Sequence, residues 1–430
     1  MKKWILLALG LIAVYLALTY YCGVQAERSI RQQVALNNTQ AKANSQPQVA
    51  LQEYRRGFFR SKLRASVELG ATDTSLRGRV DTDIVLWHGP LIFANGVKPG
   101  WFYAAGELKP QWQNREHQQL FERVFKNGLG PISLWGKFTG RYQLDWHIPA
   151  VDVQDSELSL QTQPSHLRTE GVFNTLDSQH WMNLGALQIH WGNAHIKAAP
   201  TRVEAKVNFV AEDIPLSDVA VTSEHIELGG LYKGQLHGLG FQQTQELVNG
   251  KVDTRAQLRL ERAESLIALQ QFSLDFALLQ TSFAAIRAWT ELSLAAQQEI
   301  DESQLKAQAL KALRLMLHPD AGAEFAMAVS LARGDIQAQA QVAPRQLESQ
   351  QLNSMSVVQL LQLLHGTGEL TVAEDVLVNS PLFFLLVEFI ATYMNHEPPN
   401  YVMRAALNDG QLRVNGQLVP LINLLPEAYR

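Results

Sequence analysis

Between about residues 57 and 280 the chain alternates apolar and polar residues with a period of two. In "FTGRYQLDWHI", Phe138, Tyr142, Leu144, Trp146 and Ile148 share one phase and Thr139, Arg141, Gln143, Asp145 and His147 the other. "RVEAKVNF" sets Val203, Ala205, Val207 and Phe209 against Arg202, Glu204, Lys206 and Asn208, and "RAQLRLE" repeats the design with Ala256, Leu258 and Leu260. Successive side chains of a strand point to opposite faces, so this pattern predicts half-buried strands in antiparallel sheet. Turn signals separate them: "HGP" at 88–90, "NG" at 95–96 and 127–128, and "GG" at 229–230.

From 282 to 317 the period changes. Phe283, Ile286 and Trp289, then Leu305, Ala309, Leu313 and Met316, recur at three- and four-residue spacing, which predicts two helices. "DESQ" at 301–304 caps the second, and His318-Pro319 stops it. Alternation returns in "DIQAQAQV" at 335–342; a short helix at 355–365 and a strand over "GELTVAEDVLV", 368–378, are expected next. "SPLFFLLVEFIATYMN", 380–395, reads as a buried or surface-docked helix, since it is too short for a span and carries Glu388. Asp409-Gly410 marks a closing hairpin.

The first segment is different in kind. After Lys2-Lys3 come eighteen uncharged residues, "WILLALGLIAVYLALTYY", with Trp4 at one end and Tyr20 and Tyr21 at the other. As a helix they span about 27 Å, near the hydrocarbon thickness of about 30 Å, and the aromatic ends suit the interface. The lysines favour an N-terminus in the cytoplasm and the bulk of the chain outside. A cleaved signal peptide ending near Val24-Gln25-Ala26 is the rival; the long apolar run and bulky tyrosines favour an uncleaved anchor. The organisation expected is an anchor over 1–22, a helical stalk and linker over 23–52, a β-rich region over 53–280, and a mixed helix and strand region over 281–430 continuing the same body.

Composition narrows the class. Of 430 residues 46% are hydrophobic and 18% charged, as a globular chain requires, and a net charge of −4 gives no reason for a polyanion partner. Cys22 is the only cysteine, so no intramolecular disulfide forms, which suits a bacterial periplasm better than a eukaryotic exterior.

"EYRRGFFRSKLRASVEL", 53–69, packs Arg55, Arg56, Arg60, Lys62 and Arg64 among Tyr54, Phe58 and Phe59. Outside the inner membrane no nucleic acid is expected. The simplest reading is a strand with a basic solvent face, led in by a turn at Gly57. Contact of the five basic residues with anionic headgroups is the alternative, each worth about 1 kcal/mol near such a surface, with slack at 37–52 to allow it. Tyr54, Gly57, Phe59 and Ser61 form a Tyr-x-x-Gly-x-Phe-x-Ser pattern; His88, Gly89 and Pro90 end a strand in "HGPL"; Asn415 and Gly416 lie in "DGQLRVNGQLVPL". With the apolar N-terminus, these resemble the YdgA-like family of bacterial envelope proteins of unknown function. The resemblance implies a Gram-negative inner-membrane protein facing the periplasm, and no catalytic residues. The plan is also similar, in architecture alone, to AsmA-like envelope proteins associated with lipid homeostasis.

Catalytic signatures are missing: no Gly-x-Ser-x-Gly elbow, phosphate loop or dinucleotide fingerprint occurs. His190 and His195 share a metal only if the Gly192-Asn193 turn folds them together, and no cysteine is nearby, so neither metal nor cofactor is expected. Tryptophans cluster between Trp87 and Trp191, as core or as groove lining. The fold class expected is α+β, mainly antiparallel: a large curved sheet assembly with a few packed helices. If nothing covers the apolar strand faces, a long apolar groove remains that needs a ligand or partner. The expected function is non-enzymatic, holding lipid or another apolar molecule or scaffolding the envelope. The alternatives are an interaction module that pairs through helix 380–395 with an envelope protein or a second copy, and a hydrolase without a recognisable motif.

Overall fold

The computed structural model describes residues 2–419 apart from 44–46, 70–76, 95, 127, 155–157, 212–213, 231–232, 265–267, 297–301, 319, 346–354, 356–358, 361 and 380–382; for 2–10, 43, 294, 302 and 383–386 it describes the backbone alone. Antiparallel strands dominate, and six helices accompany them among the described residues. The chain divides into two compact units, Met1–Pro215 and Leu216–Arg430. The change of pattern near 281 is thus a change of element type inside the second unit.

In the first unit, helix α1 runs unbroken over Lys2–Ala43, and strands β1 (Val49–Arg56), β2 (Arg60–Leu69) and β3 (Gly78–His88) follow. A small separate hairpin, β4 (Leu91–Phe93) and β5 (Val97–Pro99), precedes β6 (Phe102–Trp112), α2 (Arg115–Val124), β7 (Pro131–Gly136) and β8 (Arg141–Ile148). Next come β9 (Val151–Gln154), β10 (Leu158–Thr162), β11 (Ser165–Val172), β12 (Ser178–Leu184), β13 (Leu187–Trp191), β14 (Ala194–Ala198) and β15 (Thr201–Ala211). One ladder orders them β1-β2-β3-β6-β7-β8-β11-β12-β15; a second is β9-β10-β13-β14. Phe138–Gly140 lies in the turn before β8, because Gly140 takes a positive φ of 76° that ends the alternation there.

The second unit holds β16 (Ile214–Gly229), β17 (Gly234–Val248), β18 (Lys251–Leu260), β19 (Arg262–Glu264), β20 (Leu269–Thr281), α3 (Phe283–Ala296), α4 (Glu302–Met316), β21 (Gly322–Leu331) and β22 (Gly334–Pro344). It closes with β23 (Leu364–Ala373), α5 (Glu374–Val378), α6 (Phe383–Tyr393), β24 (Asn395–Glu397), β25 (Asn400–Asn408), β26 (Gln411–Val414) and β27 (Gln417–Val419). Its ladder runs β16-β17-β18-β20-β21-β22-β23-β25-β26-β27.

Three expectations need correction. The polar stretch 24–43 is no free stalk but docks on the sheet: Ala26 is fully buried, Ile30 packs beside it, and Gln33 bonds Asn174 N and Thr175 O. Asn38 grips both backbone groups of Val49 at 2.8 Å, which removes the slack supposed between 37 and 52. The strand expected over 368–378 ends at Ala373, since Glu374 and Asp375 suit the first turn of a helix. Of the helix at 355–365, Leu364 and His365 belong to β23, while 356–358 and 361 fall outside the described residues. Asn95, Asn127, Asp301, Pro319, Ser380 and Pro381, which carried other turn, cap and stop signals, also lie outside them.

Among the described residues no helix is long and apolar enough to cross a membrane; the side chains of residues 2–10, within the apolar run, are not among them. From Leu11 on, α1 touches its unit along one stripe, Tyr15, Thr19, Cys22, Ala26 and Ile30, at helical spacing. Leu11, Ile12, Val14, Leu16 and Leu18 stay exposed.

Candidate functional site

Two features bring the singled-out residues together: a latch that fixes α1, and the apolar face of each sheet.

The latch begins at a hairpin. The turn between β1 and β2 needs glycine at 57, because a Cβ there would stand 2.3 Å from the Arg60 carbonyl oxygen, which accepts the Gly57 N–H at 2.9 Å. Phe59, exposed itself, offers its carbonyl to the His88 N–H at 3.1 Å, and the buried Ser61 hydroxyl meets His88 Nε2, also at 3.1 Å. Against the imidazole sits Gly23 of α1, where an added Cβ would strike ring atom Cε1 at 2.7 Å. Gly89, at φ 145°, lets the chain turn beneath the fully buried Thr19. The Tyr54 hydroxyl is buried nearby without a hydrogen-bond partner. Burial pushes its phenol above the usual value. Burial also holds His88 below the usual imidazole value, against the Thr19 and Gly57 backbone carbonyls. The Tyr-x-x-Gly-x-Phe-x-Ser and His-Gly-Pro segments are therefore one piece of packing.

A serine beside a histidine is a catalytic pairing elsewhere, but here Nδ1 meets no carboxylate and Ser61 and His88 are 1% and 4% exposed. The other motif pair lies in the second unit: Asn415 and Gly416, with φ of 45° and 86°, form the turn between β26 and β27. The Asn415 amide donates to Tyr393 O at 2.8 Å and Val402 O at 3.2 Å, tying the end of α6 to β25.

The basic segment is as its alternation indicates. Along β2, Arg60, Lys62 and Arg64 are exposed while Ser61, Leu63 and Ala65 are buried, and upstream of the turn β1 pairs with it as a strand in its own right. Three of the five cations meet carboxylates: Arg55 with Glu53, Arg56 with Glu27 at 3.5 Å, and Arg64 with Asp83 at 2.9 Å. Arg56 also lies over the Tyr20 ring and Arg60 over Trp87.

Register exposes what the sequence hides. Residues directly opposite in antiparallel strands share a face. From Tyr54 in β1 the partners run Leu63, Ile84, Gly106 and Ile132, then Trp146, Leu167, Met182 and Val203. No polar residue interrupts these nine strands apart from the tyrosine at its start. In the second unit Val221, Phe241, Leu258 and Leu274 continue through Met327, Ala338, Leu370 and Met403 across eight strands. The neighbouring phase is mostly polar, with Gln242, Gln257, Asp275, Ala326, Gln339, Glu369 and Arg404 in one row.

Cover of these apolar rows is partial. In the first unit α1 closes the β1–β6 end, where Ala26 and Ile30 pack on Leu63, Leu86 and Phe102. In the second, Leu377 of α5 and Ile390 of α6 bury Val372 at the other end of the ladder. Between Ile132 and Val203, and along the whole row from Val221 to Met403, every member is only half-buried. A hollow of about 770 Å³ in the second unit is lined by polar-phase residues such as Arg255, Gln257, Glu324 and Arg404 together with Phe276 and Phe325.

The histidine pair asked for by the sequence does form: His190 faces His195 across the β13–β14 hairpin with rings 5.4 Å apart. Among the described residues no group of three histidine, cysteine or acidic side chains could hold a metal. Of the tryptophans, Trp146 joins the apolar row and donates to Leu129 O at 2.8 Å, whereas Trp191 is largely exposed.

No curated protein and no solved structure matches the chain. A family model described as "Bacterial protein of unknown function (DUF945)" matches residues 1–380, and the chain belongs to that family.

Proposed function

We propose that this is a non-enzymatic envelope protein, anchored in the bacterial inner membrane with its bulk in the periplasm, that holds lipid or another apolar molecule along its sheet. One observation carries the reading: an apolar row eight strands long whose every member is only half-buried. Apolar area left in water forgoes about 25 cal/mol per Å², and isolated exposed residues are ordinary whereas continuous ones invite an occupant. Strands about 4.8 Å apart make the row about 34 Å long, against about 15 Å for one leaflet's hydrocarbon. An acyl chain fits along it with room to spare. The anchor rests on the uncharged run from Trp4 to Tyr21 and on the uncovered apolar residues of α1.

The test is mass spectrometry of lipid extracted from the full-length protein and from Leu274→Lys, both gently solubilised. Loss of bound lipid in the variant is the expected result. Equal lipid in both means an annulus around the helix, and the reading fails. Removing residues 1–26 is the wrong control, since Gly23 and Ala26 belong to the packed body.

A second reading has its own support. On α6, Val387 and Phe389 are 41% and 42% exposed beside the buried Ile390, a face suited to an envelope protein or a second copy. Crosslinking at native expression that yields only monomer removes it.

A further inference from the structure

We propose that the β4–β5 hairpin is a membrane foot, dipping into the outer leaflet of the bilayer beside α1. The inference rests on the anchor reading above and adds to it. The hairpin is a two-stranded sheet of its own, and it presents Leu91, Phe93 and Val97 to solvent at 46%, 71% and 61% exposure. Its position is fixed against the helix: the Tyr15 hydroxyl donates to Leu91 O at 3.1 Å. Tyr15 lies six residues before Tyr21, where the uncharged run ends, so this contact is about 9 Å further along α1. That distance exceeds a headgroup layer of about 5–8 Å. A body gripping α1 at Tyr15 thus carries Leu91 and Phe93 to the acyl boundary wherever the run itself is immersed.

The surroundings fit an interface. Tyr20 packs on Phe58 and Phe58 on Phe59, while Tyr21 packs on the half-buried Trp101 and Trp101 on Phe138, a belt of mostly exposed rings about one to two turns along α1 from Tyr15. Rings of this kind settle at the headgroup level. One cation stands in the belt, Arg56 over Tyr20, and Lys98, within β5 itself, reaches back over the buried Tyr103 ring. Exposed apolar side chains beside aromatic rings, with Lys98 and Arg56 close by, suit the boundary of an anionic leaflet. The exposed Leu11, Ile12 and Val14 of α1 continue the same apolar surface past the hairpin.

Full-length protein in nanodiscs of phosphatidylethanolamine and phosphatidylglycerol provides the test. An environment-sensitive dye is placed at Phe93→Cys or at Leu11→Cys in a Cys22→Ala background, with doxyl-labelled lipids as quenchers. Blue-shifted emission and lipid quenching at both positions support the foot. Quenching at Leu11→Cys with none at Phe93→Cys overturns the foot and leaves the anchor standing. Quenching at neither overturns both.

Discussion

The His88 imidazole is held between the Ser61 hydroxyl, 3.1 Å from Nε2, and Gly23, whose Cα leaves no room for a methyl group. This contact joins a strand residue 27 positions upstream to a helix 65 positions upstream, and it has consequences for acid stability. Burial lowers the pKa of His88, and also of His180. A histidine depressed in the folded state binds fewer protons there than when unfolded. Its stability contribution is therefore complete above the ordinary value near 6.5 and is lost as pH falls toward the folded pKa. Unfolding free energies from denaturant titrations are expected to hold from pH 8 to about 6.5 and to drop below it, by at most about 1.4 kcal/mol per pH unit for each histidine. His88→Gln should flatten part of that slope.

Gly23→Ala sets two effects against each other. Helix propensity favours alanine by about 1 kcal/mol. Its methyl would lie 2.7 Å from the imidazole, and overpacking a closed site costs about 1–3 kcal/mol. Because His88 is held by Ser61 it has nowhere to swing, and we expect a net loss in thermal melts. In a His88→Ala background the same change should stabilise. A gain in the wild-type background would mean that the helix docks more loosely than described.

Bound acyl chains should report on Trp146, which lies in the first unit's apolar row. A brominated fatty acid is expected to quench wild-type fluorescence more than that of Trp146→Phe. Trp181, in the polar phase beside Arg168, should contribute little to the difference. Identical quenching in the two proteins would place the ligand elsewhere.

Ile390→Ala removes the side chain by which α6 buries Val372. We expect a loss of about 2–4 kcal/mol, seen as faster amide exchange in β23 and β25. Val387→Ala, at a position already 41% exposed, should leave exchange nearly unchanged.

Much of the strand order could be read from alternation and turn chemistry. The Asp409-Gly410 hairpin joins β25 to β26 as expected, and α3 and α4 fall where three- and four-residue spacing puts them. The docking of α1 was hidden because its contact residues are small or polar: Thr19, Gly23, Ala26 and Ser29 give no hydrophobic signal, though all are buried. The latch was visible only as separate motifs, since nothing local ties Ser61 to His88. Continuity of the apolar rows depends on register, and register is set by turns and by shifts such as the one between Leu51 and Glu53 in β1. The sequence shows that each strand has an apolar side, not that nine of them align.

In the second unit each strand pairs mainly with the strand before and after it along the chain. An inserted or deleted hairpin would thus change the ladder by two rungs, about 10 Å, and leave every other pairing in place. Inheritance could adjust the reach of such a protein in whole steps, much as a folding ruler is lengthened, with neither end needing redesign.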